Sequence, residues 1–157
     1  MPHKFKFRNR PGFQHIITEK LKSLAKTSDV RCRHACIIIN RRSGEIVAEG
    51  HNYHYHKKPR GPWKKAGKWS MHAEEAAYRN FFKNFRRHRR RRDDVFDLIV
   101  VRRDPSGRPG YKNSKPCHKC YSKLKKLKEK DVISRVYYSI DSESDDLCDS
   151  IVEETIV

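Results

Sequence analysis

Between Gln14 and Lys26 the apolar residues Ile16, Ile17, Leu21 and Leu24 recur at the spacing of one helical face, which predicts a first helix. From His34 to Asn40 the pattern changes to a run of β-branched residues. Arg41-Arg42-Ser43-Gly44 then supplies a turn, and Glu45 to Gly50 follows as a partner strand, so a hairpin is expected. Residues 51–70 show neither period and hold two prolines, two glycines and three histidines, the composition of a long loop. Helical spacing returns from Met71 to Phe85 through Ala73, Ala76, Ala77, Phe81 and Phe85. Val95 to Val101 is a short, continuously apolar strand suited to a sheet interior. A second loop, residues 103–116, precedes a helix from Cys117 to Glu129 with Leu124 and Leu127 inward and lysines outward, and Val132 to Ile140 reads as a strand. The order helix, strand, strand, helix, strand, helix, strand predicts an α/β sandwich around a mixed sheet. No internal repeat is visible.

Composition narrows this picture. The 157 residues are 36% hydrophobic, enough for one modest core and one domain. The longest apolar runs, Cys36–Ile39 and Leu98–Val101, fall far short of the ~20 residues of a membrane span. No hydrophobic segment follows the basic N-terminus, so no secretory leader and no membrane association are expected. Five cysteines do not form a disulfide framework and fit an intracellular, reducing compartment, with Cys148 as a free thiol.

Charge changes the picture more. Lys and Arg number 37 against 19 Asp and Glu, a formal +18 that favours polyanionic partners. All 37 lie in residues 1–140 with 12 acidic residues, a net +25, whereas residues 141–157 hold seven acidic residues and no basic one. The expected organisation is a basic flexible arm over 1–12, a folded domain over 13–140 and an acidic tail over 141–157. Lys57, Lys58, Arg60, Lys64 and Lys65 interleave with Tyr53, Tyr55, Trp63 and Trp69, a combination suited to tracking and stacking single-stranded nucleic acid. Arg86, Arg87, Arg89, Arg90, Arg91 and Arg92 could extend that track. We therefore take Lys57, Lys58, Arg60, Trp63, Lys64, Lys65, Arg89, Arg90, Arg91 and Arg92 as candidate nucleic-acid contacts. For the acidic segment three readings stand: a cover over the basic groove that competes with nucleic acid, an unstructured solubilising tail, or a last short strand from Ile151 to Val157. The latter two are preferred.

Two motifs open the two central helices: His72-Ala73-Glu74 and Pro116-Cys117-His118-Lys119-Cys120. Cysteines three positions apart at a helix start can turn both sulfurs to one point, where the positive helix end favours thiolates. With one imidazole from the facing helix they make three ligands, His72, Cys117 and Cys120. Three ligands leave a tetrahedral zinc one open position, the catalytic pattern. A closed knuckle with His118 as fourth ligand is disfavoured, because His118 follows Cys117 directly. Glu74 stands beside the metal, free to move protons.

These residues resemble the cytidine and deoxycytidylate deaminase superfamily, whose signature is His-x-Glu followed by Pro-Cys-x-x-Cys. The resemblance covers roughly residues 32–140 and includes the hairpin from Ala35 to Asn52, which ends in Gly50-His51-Asn52. It implies a three-layer α/β/α sandwich around a mixed sheet of four to five strands. One catalytic zinc and Glu74 would drive hydrolytic deamination with release of ammonia. It implies too that Asn52 helps hold the ribose or base, and that the backbone at Ala73 orients the base and that at Cys117 lies beside the metal. The substrate would be a cytosine nucleotide or cytosine in nucleic acid. The alternatives are adenosine in RNA, or a silent deaminase fold that binds nucleic acid through its basic surface. A nucleotide or a single strand is the expected partner, with homo-oligomerisation left open. The sequence departs from the pattern at Asn113-Ser114-Lys115, where many members carry Thr-Leu or Thr-Glu before the Pro-Cys. It departs again after the fourth core strand, where residues 141–157 shorten or replace the family's fifth strand and helices.

Remaining candidates are weaker. Cys32, His34 and Cys36 alternate on a strand and could hold a second metal, although sheet packing is preferred. His51, His54 and His56 could line a substrate entrance, with solvated loop positions preferred.

Overall fold

The structure is a computed structural model that describes residues 13–54, 70–85 and 94–156. In chain order its elements are α1 (Phe13–Thr27), β1 (Arg33–Asn40), β2 (Ile46–His51), β3 (Tyr53–His54), β4 (Ser70–Met71), α2 (Ala73–Asn80), β5 (Phe96–Arg103), α3 (His118–Glu129), β6 (Arg135–Ser139), α4 (Leu147–Ser150) and β7 (Ile151–Glu153). A π-helical turn, Phe81–Phe85, extends α2. Five strands form one sheet in the order β2-β1-β5-β6-β7, while β3 and β4 pair separately. β5 and β6 are parallel; β1 runs antiparallel to both β2 and β5, and β7 antiparallel to β6.

The period-2 pleat explains why β1 and β5 are apolar on both faces. Ala35, Ile37 and Ile39 of β1, with Ile99 and Val101 of β5, face α1 and pack with Ile17, Leu21, Leu24 and Ala25. Cys36 and Ile38, with Phe96, Leu98 and Val100, face the opposite layer and pack with Ala73, Ala77, Phe81 and Leu124 of α2 and α3. The expected three-layer sandwich is the fold, with the sheet at the upper end of the expected four to five strands.

Three of the boundaries that differ from the periodicity do so for a visible reason. The second helix was expected from Met71 but starts at Ala73, because Met71 pairs with Tyr53 in the β3–β4 ladder. That helix keeps α geometry only to Asn80 and widens at Phe81, whose ring meets Phe96 edge-on at 5.1 Å. The last predicted strand shrinks to Arg135–Ser139 because α3 closes through Asp131 at φ 54, and the Val132 N–H donates back to the Leu127 carbonyl.

The acidic segment packs on the body. Leu147 and Ile151 join the α1-side core, and β7 extends the sheet beside β6. Asp145 accepts from the Gly110 N–H at 2.7 Å and from Arg103 at 3.0 Å, and lies 3.5 Å from Lys22. Of the readings open for residues 141–157, the short last strand is the one that forms, over Ile151–Glu153 rather than to Val157.

Candidate metal centre and active site

Each motif sits where a helix begins, so its side chains converge by construction. His72 is the N-cap of α2 in extended geometry (φ −76, ψ 147), and its carbonyl accepts the Ala76 N–H at 3.0 Å. Cys117 is the N-cap of α3 (φ −67, ψ 166), and its carbonyl accepts the Tyr121 N–H at 2.8 Å. Neither side chain caps its own helix, which leaves both free for other work. Gly50 lets α2 lie directly on β2: a Cβ there would fall 2.4 Å from the Ala77 nitrogen and 2.8 Å from the Ala73 carbonyl oxygen.

The Nδ1 atom of His72 lies 3.3 Å from Cys120 Sγ and 3.6 Å from Cys117 Sγ. All three donor atoms fall within 4.8 Å of one another, and no other group of His, Cys, Asp or Glu among the described residues does so. With Zn–S near ~2.3 Å and Zn–N near ~2.0 Å, tetrahedral ligands of these types stand about 3.6 Å apart. The donor set and its spacing fit zinc. Cys120 is buried, His72 half-buried and Cys117 exposed, so the centre opens to solvent on one side. Burial, followed by the nearby Glu74 and Cys117, pushes the Cys120 thiol well up, and a cation bound there would favour its thiolate.

Glu74, the second residue of α2, is 5% exposed and stands outside the ligand group. Burial pushes its carboxyl up to about 7, against a hydrogen bond from its own backbone N–H that pulls it down. A carboxyl so placed can exchange a proton near neutrality. Ala73 is buried at the first helical position, where the backbone N–H has no partner within the helix.

Asn52 is buried, and its carboxamide is engaged. Its Oδ1 accepts from Ser28 Oγ at 2.5 Å and from the His34 N–H at 2.9 Å, and its Nδ2 donates to the Cys32 carbonyl at 2.5 Å. It thereby ties the end of α1 to the start of β1. Cys32, His34 and Cys36 do not gather into a second metal site: Cys36 is fully buried in the α2-side core, and His34 Nδ1 lies 3.0 Å from the Cys32 carbonyl. The packing alternative holds. His51 lies against Tyr53 at 5.7 Å, and the His54 N–H donates to Asp29 at 2.8 Å. His56 lies outside the described residues, as do Lys57, Lys58, Arg60, Trp63, Lys64, Lys65, Arg89, Arg90, Arg91 and Arg92. The β3–β4 ladder pairs Tyr53 with Met71 and His54 with Ser70, beside Asn52 and His72 along the chain.

One pair escapes sequence reasoning. Ser114 Oγ donates to the Val100 carbonyl at 2.9 Å and accepts the Ser139 N–H at 2.8 Å; Ser139 Oγ in turn accepts the Arg102 N–H at 3.0 Å. These hydroxyls wedge the end of the 103–116 loop between β5 and β6 and so fix the approach to Pro116 and Cys117. The one sequence signal is a hydroxyl residue two positions before the Pro-Cys.

The family model of the cytidine and deoxycytidylate deaminase zinc-binding region matches residues 13–136. Among solved structures, the dCMP deaminase of cyanophage S-TIM5 in its apo form superimposes with a TM-score of 0.51. It is 16% identical over 85% of this chain and 87% of that one, a likeness of fold. No curated protein sequence matches this chain.

Proposed function

Since this chain belongs to the cytidine and deoxycytidylate deaminase zinc-binding family, we propose that it is a zinc-dependent hydrolase acting on the cytosine base of a nucleotide or a nucleic acid. The observation that carries this reading is the convergence of His72, Cys117 and Cys120 beside a buried carboxyl that does not join them. Zinc held there supplies a water acidic enough to attack at neutral pH.

The other parts belong to the chain. Glu74 accepts a proton from the water and delivers it to the ring nitrogen, then carries the second proton to the departing amine. Water and cytosine thus become uracil and ammonia, with no oxidant or further reactant. The Ala73 N–H, which has no partner within its helix, would donate to the base carbonyl at the start of α2. Asn52 acts as a positioning residue: its carboxamide is occupied by Ser28, Cys32 and His34, so it serves the substrate through the wall it holds.

The test is the zinc-loaded protein incubated with CMP, dCMP, single-stranded DNA and single-stranded RNA, read by mass spectrometry for replacement of the amine by a carbonyl. Conversion of at least one cytosine substrate is expected. No conversion across the panel, with zinc bound, would overturn the reading.

A further inference from the structure

We infer that the outward flank of α3 is a phosphate track that leads single-stranded nucleic acid to the metal centre. This deepens, and for the reacting base rests on, the deaminase reading. α3 carries Lys119, Lys123, Lys125, Lys126 and Lys128 and is followed by Lys130, with Glu129 as its one acid. Lys119, Lys123, Lys126 and Lys130 fall at i, i+4, i+7 and i+11, one stripe about 16 Å long at ~1.5 Å rise per residue. All four are exposed, and Lys123 is held over the Tyr78 ring at 5.7 Å. The stripe begins inside the ligand motif, since Lys119 lies between Cys117 and Cys120, and exposed Lys115 continues it on the other side of Cys117.

Two observations bear on this flank. Several cations elsewhere, Lys20, Lys22, Arg41, Arg42, Arg79 and Arg103, meet a carboxylate, while Lys26 and Lys83 have no ion pair among the described residues. Among the described residues no ion pair involves a lysine of α3. Secondly, Lys119 sits in the first turn of a helix with no acidic residue there, against the positive helix end. A sequence that keeps a locally unfavourable charge beside a metal centre points to an anion that binds at that place.

Geometry selects the kind of polyanion. A nucleoside monophosphate would meet Lys115 or Lys119 and leave the remainder of the stripe idle, whereas a strand offers a phosphate to each successive lysine. A duplex would keep its bases stacked away from the metal. A membrane surface is disfavoured because the exposed large hydrophobic among the described residues is Ile16, on α1, across the sheet from α3.

The experiment measures binding apart from turnover. Zinc-loaded full-length protein carrying Glu74→Ala is titrated with fluorescent single-stranded DNA and RNA from low to moderate salt, alone and with K119Q/K126Q/K130Q. K20Q/K22Q, on the opposite layer, is the control, and K119R/K126R/K130R tests charge against shape. The track predicts that the log–log salt slope shrinks by about 2 in the triple Gln variant, at roughly 0.7 per phosphate contact. The Arg variant and the control should keep the parent slope. An unchanged slope in the triple Gln variant, an equal loss in the control, or duplex binding as tight as single-strand binding would each overturn the track. If no strand binds but a free nucleotide is deaminated by the parent enzyme, the track fails and the deaminase reading stands. If strands bind as expected and no substrate turns over, the reverse holds.

Discussion

Asn52 shows what a single side chain does in this molecule. Its carboxamide serves partners 18 to 24 positions away along the chain, on the end of α1 and the start of β1. Asn52→Ala would leave the Ser28 hydroxyl, the His34 N–H and the Cys32 carbonyl without their partner. We expect a loss of about 2–3 kcal/mol in denaturant unfolding, the cost of stranded buried polar groups. Cys36 makes the opposite case. It is fully buried two positions from His34 but packs in the core, so Cys32→Ser and Cys36→Ala should each leave the zinc content at one ion per chain. Metal analysis that finds two ions in the parent, falling to one in either variant, would restore the second site.

At the scale of elements, the contact of α2 with β2 places the histidine ligand. Gly50→Ala would drive a methyl group to 2.4 Å from the Ala77 nitrogen, and neither backbone can yield without shifting His72. Overpacking of this kind costs about 1–3 kcal/mol, and we expect zinc affinity to fall with it, as a chelator competition would read. The site's elements were legible in the sequence because their signals are local: β-branched runs flanking a turn, and two motifs opening helical repeats. The π turn at Phe81 and the Ser114–Ser139 wedge were not, since each depends on a partner in another element. The fifth strand was legible only as one of three readings of its segment, because seven acids among residues 141–157 leave Leu147 and Ile151 as its main apolar anchors.

At the scale of the molecule, the two ends of the sheet do different work. At one end, Arg41 grips Asp97 through two bonds of 2.8 and 2.6 Å, while Asn40 donates to Asp94 at 3.0 Å, fixing the hairpin to β5. Asp97→Ala should cost about 1–3 kcal/mol, because Arg41, partly exposed, can turn to water. Ligand geometry and zinc affinity should persist, since that pair does not touch the metal centre. At the other end, the N-termini of α2 and α3 bring together the groups that would share zinc. A chelator should therefore lower the melting temperature of the native protein and have no effect on a Cys117→Ala/Cys120→Ala variant. The net charge of +18 gains a direction from the fold: the lysines of α3 run outward from the ligands, while Asp145 of the last segment meets Lys22 of α1.

The central claim is that Glu74 moves protons beside a three-ligand zinc. The direct measurement is ammonia release from the best cytosine substrate by wild-type protein and by Glu74→Gln, both at one zinc per chain. The account predicts turnover by the wild type and at least a hundredfold loss in the variant, about the lower bound for a positioned acid–base group. Equal turnover by the two proteins at matched zinc would contradict it.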